Sequence, residues 1–257
     1  MIKKLLLLLV VFTTLPLFAQ QSLEVAYETS SYTYREPDGN TPIRLKGRMQ
    51  GGSIRYENRL QSSAFFFALD GRWMGGTTDY DGWLTTNPPT TPIPHQFDDI
   101  GDYYYEGRLH LGNALDLSKT VQVWLSTGLA YRYLKDHMNK DPYGYLRESN
   151  YVYMPFTGEL RFKSEIWALV LKGEFDYLLF GWQNSHMENG TLRHDQREGY
   201  GLRLSAKIQA NLAGKKTGVF VEPFYRYWNI RDSEVRGNYM EPHNTTKEVG
   251  LRMGLTF

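Results

Sequence analysis

Apolar residues return at every second position through most of this 257-residue chain, in runs of ten or more, and the connections between runs alternate strictly between short and long. A period of two is that of a β-strand, whose successive side chains point to opposite faces. The last run shows the pattern without a break: Val249, Leu251, Met253, Leu255 and Phe257 fall on one face, and Gly250, Arg252, Gly254 and Thr256 on the other. Such a strand can turn one side to an apolar solvent while the other carries Arg252 into a polar interior. A half-buried strand of a soluble protein alternates in the same way, so the rest of the chain must decide between them.

The opening segment bears on the compartment. Met1-Ile2-Lys3-Lys4 is basic, Leu5 to Phe12 is apolar, and Pro16 and Ala19 follow, which is the order of a secretory signal cut after Ala19. The apolar run falls short of the roughly 20 residues a spanning helix requires, and Pro16 interrupts it. Residues 1–19 are therefore expected to be removed, leaving one domain over 20–257. The chain has no Cys, so an exported protein of this size must hold together by backbone pairing rather than by disulfides. A mean hydropathy of −0.49 would suit a soluble protein, but alternation halves the apolar content of any membrane barrel. The formal net charge of +1 gives no reason to expect nucleic acid as a partner.

Ten strands are predicted: Leu23–Arg35, Ile43–Tyr56, Ser62–Gly76, Gly101–Leu111, Val121–Leu134, Ser149–Phe162, Ile166–Gln183, Tyr200–Asn211, Val219–Ile230 and a tenth ending at Phe257. Long loops cover Thr77 to Asp98, the Asp141-Pro142-Tyr143-Gly144 region, Asn189-Gly190, and Gly237-Asn238 to Pro242. The expected fold is all-β, a transmembrane antiparallel up-and-down barrel with short periplasmic turns and long outer loops. An even strand number puts both termini on one side, which for an exported chain is the periplasm. A C-terminal strand closing on Phe also resembles the terminal signal of bacterial outer-membrane barrels.

Parity sorts the faces. Gln122, Trp124, Ser126 and Arg132 share the lumen side of the fifth strand, Arg203, Lys207 and Gln209 that of the eighth, and Glu106, Arg108, His110, Glu174, Asp176, Glu222, Arg226, Glu248 and Arg252 follow. Long side chains of both signs in so narrow a tube would pair across it, so a plugged lumen is expected. A soluble ligand-binding barrel would reverse the faces; the leader, the strand lengths and the Tyr-rich strand ends favour the membrane. Tyr32, Tyr34, Tyr103, Tyr105, Tyr131, Tyr133, Tyr151 and Tyr153 are predicted to anchor at the headgroup boundary. Arg147, Arg193, Arg197 and Arg236 in the outer loops suit lipopolysaccharide phosphates or plain solvation.

Two clusters carry chemistry. Asp79-Tyr80-Asp81-Gly82-Trp83 sets two carboxylates at i and i+2, a spacing that shares a face in extended backbone and can orient a water. Gly181-Trp182-Gln183-Asn184-Ser185-His186 sets Asn184 and His186 at the same spacing, and imidazole suits base chemistry near neutrality. With these residues the chain resembles the omptins, ten-stranded outer-membrane endopeptidases. In that family an Asp-x-Asp-Trp pair faces an Asp-x-His pair across the barrel mouth, and together they activate a water against a peptide bond. The resemblance implies a catalytic group of Asp79, Asp81, Asn184 and His186 acting on a peptide substrate, with Trp83 displaced by Gly82 and Asn184 standing where the family has Asp. Gly144-Tyr145-Leu146-Arg147 leading to Tyr153-Met154-Pro155 is a further likeness. Asn can fix an imidazole's tautomer but supplies no negative charge, a loss of about 10⁴ in a triad setting; Asp195, Asp98 and Asp99 are the substitutes at hand. No metal-ligand spacing, phosphate loop or nucleophile elbow occurs, so no cofactor is expected. The alternatives are a non-catalytic surface barrel for adhesion or partner binding, and a narrow pore.

Overall fold

The computed structural model describes residues 20–37, 41–60, 63–84, 91–188, 190–212, 217–236 and 239–257. The predicted leader, residues 1–19, and the turns at 38–40, 213–216 and 237–238 lie outside them. Eleven strand segments follow one another: β1 (Gln20–Glu36), β2 (Ile43–Arg59), β3 (Phe65–Leu84), β4 (Ile93–Asp116), β5 (Val121–His137), β6 (Leu146–Lys163), β7 (Trp167–Met187), β8 (Gly190–Gln196), β9 (Gly199–Asn211), β10 (Gly218–Ile230) and β11 (Asn244–Thr256). Each pairs antiparallel with its neighbours, and β1 closes on β11. β9 pairs with the first half of β7 and β8 with the second, so the two occupy one position and the wall has ten staves. Closure leaves no sheet edge to face hydrocarbon, where an unpaired backbone group costs several kcal/mol.

Two connections differ from expectation. The segment predicted as a long loop from Thr77 to Asp98 is mostly strand, with β3 and β4 still paired at Leu84 and Ile93. Where a long loop is predicted around Asn189-Gly190, Met187 already faces Gly190 across the β7–β8 ladder; Asn189 itself lies outside the described residues. Alternation continues through the described residues of both segments, and the ladder runs on with it.

The faces follow parity through the lower wall. Leu125, Leu129, Leu204, Ile208, Val249 and Leu255 turn outward and are exposed, while Glu24, Glu106, Glu174, Asp176, Arg203 and Glu248 turn inward and are buried. The lumen charges meet in pairs. Arg203 Nε donates to Asp176 Oδ2 at 2.6 Å and its Nη1 to Glu106 Oε2 at 2.9 Å. Arg108 Nη1 donates to Glu174 Oε1 at 2.7 Å, and Arg252 reaches Glu222 at 2.6 Å and Glu24 at 2.8 Å. A cavity of about 80 Å³ survives among these groups, room for a few waters.

Above this charged level the tube closes. Tyr32, Leu45, Met49, Met74, Ile100 and Tyr104 pack into one buried cluster, and Tyr151, Tyr153, Leu178 and Trp228 into another. Arg132 joins them, its guanidinium 5.1 Å from the Tyr104 ring centre and 5.5 Å from that of Trp228. The Tyr104 hydroxyl donates to Glu248 at 2.6 Å. Four of the tyrosines predicted for the headgroup boundary, Tyr32, Tyr34, Tyr151 and Tyr153, belong to this interior because their parity is that of the lumen; Tyr103, Tyr105, Tyr131 and Tyr133 do face outward, and Tyr105 stacks on Tyr133 with centroids 4.8 Å apart.

Replacing Arg203 by Met would leave Asp176 and Glu106 buried without their main counter-charge. A loss of about 3–5 kcal/mol is expected, read as a lower urea midpoint for unfolding from micelles or vesicles.

Candidate functional site at the mouth and rim

The four residues singled out in the sequence do not face one another across the mouth. On β3 the inward positions are even-numbered, Arg72, Met74, Thr78 and Tyr80 among them, so Asp79 and Asp81 lie on the outer side. Asp81 accepts from Arg44 Nη2 at 2.8 Å and from Gln96 Nε2 at 3.1 Å, and Asp79 from the Asp99 amide at 3.3 Å. On β7, Glu174, Asp176 and Leu178 point inward, which by simple alternation would send Asn184 and His186 inward too. Tyr153 pairs with Leu178 and Val152 with Phe180, however, which leaves Leu179 as an extra residue. This β-bulge reverses the face: beyond it Gln183 and Ser185 are buried, and Asn184 and His186 look outward. β4, β5 and β6 stand between β3 and β7.

His186 nevertheless has a carboxylate. Its Nε2 lies 3.0 Å from Glu148 Oε2, and its Nδ1 lies 2.9 Å from Thr191 Oγ1. Glu148 comes from β6, where it is opposite Asn184 in the register, and Thr191 from β8, opposite His186. The Tyr133 hydroxyl donates to Glu148 at 2.7 Å, and Lys135 Nζ is 3.3 Å away. These contacts, the Tyr133 hydrogen bond first and then His186 and Lys135, hold the Glu148 carboxyl down at about 2. Neither Glu148 nor Thr191 was found from the sequence, because their nearness to His186 depends on the cross-strand register above the bulge. The substitutes named in the sequence do other things. Asp195 holds Arg193 and Arg236 on the rim, and Asp98 and Asp99 border an irregularity in β4 where Asp99 has φ of 60°.

Inside the mouth a second group forms. Arg147, predicted in a loop, is on β6 and buried; its Nη2 donates to Asp136 at 2.7 Å and its Nη1 to Glu36 at 3.0 Å. Asp102 is opposite Asp136 in the β4–β5 register and accepts from Thr78 Oγ1 at 2.7 Å. Burial, and then the charge of Asp136 beside it, push the Asp102 carboxyl up to about 9, so it keeps its proton at neutral pH. Both carboxyls are almost fully buried, and Arg147 faces Asp136 across the β5–β6 register. Among the described residues no group of three or more His, Asp or Glu is placed to hold a metal ion.

No protein-family model and no curated protein matches the sequence. Solved structures do match. The outer membrane protease OmpT of Escherichia coli superposes with a TM-score of 0.62 over 92% of this chain and 96% of that one, at 12% identity. The barrel is similar to that of OmpT. At this identity the likeness is one of fold, and it fixes the architecture as an outer-membrane β-barrel. Two fainter likenesses are the outer membrane protein OprG of Pseudomonas aeruginosa, with TM-score 0.38, 6% identity and coverage of 92% and 93%, and the attachment invasion locus protein Ail of Yersinia pestis, with 0.32, 9%, 93% and 99%.

Because Asp102 binds a proton on folding that the unfolded chain releases near its ordinary value of 3.8, its effect on stability turns unfavourable as the pH rises from that value towards about 9. Asp102→Asn keeps the shape and needs no proton. The variant is expected to be more stable than the parent at neutral pH, with the difference vanishing below pH 4, when urea midpoints are compared across pH.

Proposed function

We propose that this protein is an outer-membrane surface barrel that works from its rim and outer wall while its lumen stays shut to solutes. Its loop end would face outside and its termini the periplasm. The observation that carries this reading is the buried layer of Tyr32, Leu45, Met49, Met74, Ile100, Tyr104 and Arg132 across the tube, stacked on a lumen of paired charges. A solute would have to break both. Planar-bilayer recordings of the refolded chain should show no steady conductance; persistent channel currents would overturn the closed lumen.

The outer wall also supports a lipid contact. Lys247 and Lys46 both lie opposite Thr33 in the register, and Arg48 opposite Ser31, so a basic row crosses β11, β1 and β2 on the outward face. Tyr27, lower on β1, donates to Gln50, which sits opposite Thr29 just below the basic row. Arginine and lysine just above an apolar belt suit phosphate groups of anionic glycolipid in the outer leaflet. Replacing Lys46, Arg48 and Lys247 together by Gln should weaken retention on vesicles containing lipopolysaccharide while leaving binding to neutral vesicles unchanged. Equal retention on both would remove this contact.

The endopeptidase reading implied by the omptin resemblance keeps one supporting observation: Glu148 gives His186 the negative charge that Asn184 does not. It is carried less well, because Asp79 and Asp81 stand on the outer side of a stave four places away. Cleavage of basic peptides by the folded protein, lost in both Asp79→Ala and His186→Ala, would restore it.

A further inference from the structure

The outward face of the β7–β8 hairpin brings together a hydroxyl, an imidazole and a carboxylate in an order that ordinary surface pairing does not require. A carboxylate only accepts, so the 3.0 Å contact puts a proton on His186 Nε2. In the neutral ring Nδ1 is then the acceptor, and the Thr191 hydroxyl donates to it at 2.9 Å. Thr191 is exposed, the His186 side chain is 36% accessible, and Glu148 is 21% accessible. The nucleophile and the base are thus open to a ligand from outside, while the carboxylate beneath them is fixed by Tyr133 and Lys135.

Neighbouring positions supply what acyl chemistry needs. Asn184 and Arg193 form the next cross-strand pair on the same face as His186 and Thr191; the Arg193 guanidinium turns away onto Asp195 at 3.1 Å, which leaves the Asn184 amide as the neighbouring donor for the negative charge that would develop on an attacked carbonyl. One pair further down, Trp182 carries Arg193 over its ring at 4.9 Å and stacks on Phe180 with an interplanar angle of 13°. That aromatic strip begins two same-face pairs below Thr191 and runs towards the apolar belt of the barrel, a track suited to a hydrocarbon chain.

We propose that Thr191, His186 and Glu148 form a hydrolytic site for fatty-acyl esters on the outer wall of the barrel. Thr191 Oγ1 forms a bond to the acyl carbon as its proton passes to His186 Nδ1. Collapse of the tetrahedral centre breaks the bond to the alcohol oxygen, which leaves with that proton. Water then attacks the acyl-threonine in the same manner, giving up a proton to Nδ1, and the acid departs as Thr191 regains its hydroxyl. Thr191 and His186 are the catalytic residues; Glu148 is a positioning residue that fixes the ring tautomer and stabilises the imidazolium. The site stands whether or not the lumen conducts, and its ester could belong to a membrane lipid or to a free amphiphile.

The test uses the full chain refolded in micelles, with folding checked by the gel shift of the unheated barrel. It measures p-nitrophenol released from the laurate and acetate esters, and locates the adduct left by a long-chain p-nitrophenyl phosphonate. Laurate should be turned over faster than acetate, with the phosphonate on Thr191. Thr191→Val and His186→Asn should each lose about 100-fold or more, and Thr191→Ser should keep the activity. Glu148→Gln should lower kcat with KM unchanged, and Glu148→Asp should recover part of it. Release of fatty acid from outer-leaflet lipid in vesicles, against none from the micellar ester, would assign the membrane as the source; the reverse would assign a free amphiphile. Turnover equal to buffer with both esters and with vesicles, unchanged turnover in His186→Asn, or a phosphonate adduct away from Thr191 would overturn the proposal.

Discussion

Arg203, on β9, lies against carboxylates from two other staves, Glu106 on β4 and Asp176 and Glu174 on β7. An ion buried in a narrow tube has no water to fall back on, so its counter-charges must arrive from fixed places across the lumen. That requirement acts on the register of every stave involved. A slip of one residue would turn Arg203, Arg252 or Glu248 out into hydrocarbon, where a basic side chain costs about 2–4 kcal/mol at the midplane, and would leave the remaining partners unpaired inside. The closed hydrogen-bonded wall and the paired lumen therefore enforce each other, and the aromatic layer packs directly on them, with the Tyr104 hydroxyl bonded to Glu248.

The same coupling explains which parts of the fold were legible. β5, β9 and β11 alternate without a break, and Arg132, Arg203, Lys207, Glu248 and Arg252 fell on the lumen side as read from the sequence. Nearness to a strand end suggests the headgroup boundary for all eight tyrosines, but parity on the same strands sets Tyr32 and Tyr34 apart from their outward neighbours. Pro88, Pro89, Pro92 and Pro94 suggest a loop after Gly76, yet the even-numbered inward face of β3 runs on past Thr78 to Tyr80. Counting from Arg72 would have placed both carboxylates outside.

His186 is a different case, since counting correctly gives the wrong face. The run Leu178-Leu179-Phe180 holds one residue more than the opposing pair Val152-Tyr153, and an apolar triplet of this kind does not reveal which of its members is unpaired. Once the face is reversed, the contact with Glu148 follows from the β6–β7 register, and that with Thr191 from a hairpin tight enough to set residues 186 and 191 opposite each other. None of this is local in sequence. Glu148 is 38 residues from His186, and neither spacing nor composition links them.

Where the bulges sit is itself constrained. Within the apolar belt an extra residue would turn an inward charge such as Glu174 towards lipid, so the wall there has to alternate faithfully. Above the belt the outer side faces water rather than hydrocarbon, so a reversed face puts no charge into lipid. The two irregularities among the described residues, at Asp98–Asp99 in β4 and at Leu179 in β7, lie on the mouth side of the charged lumen. The rim is thus free to turn side chains that alternation would have sent into the cramped mouth out onto the accessible wall. Such a wall can host chemistry that the filled lumen has no room for, since the groups inside the mouth, Arg147, Asp136 and Asp102, are already spent on one another.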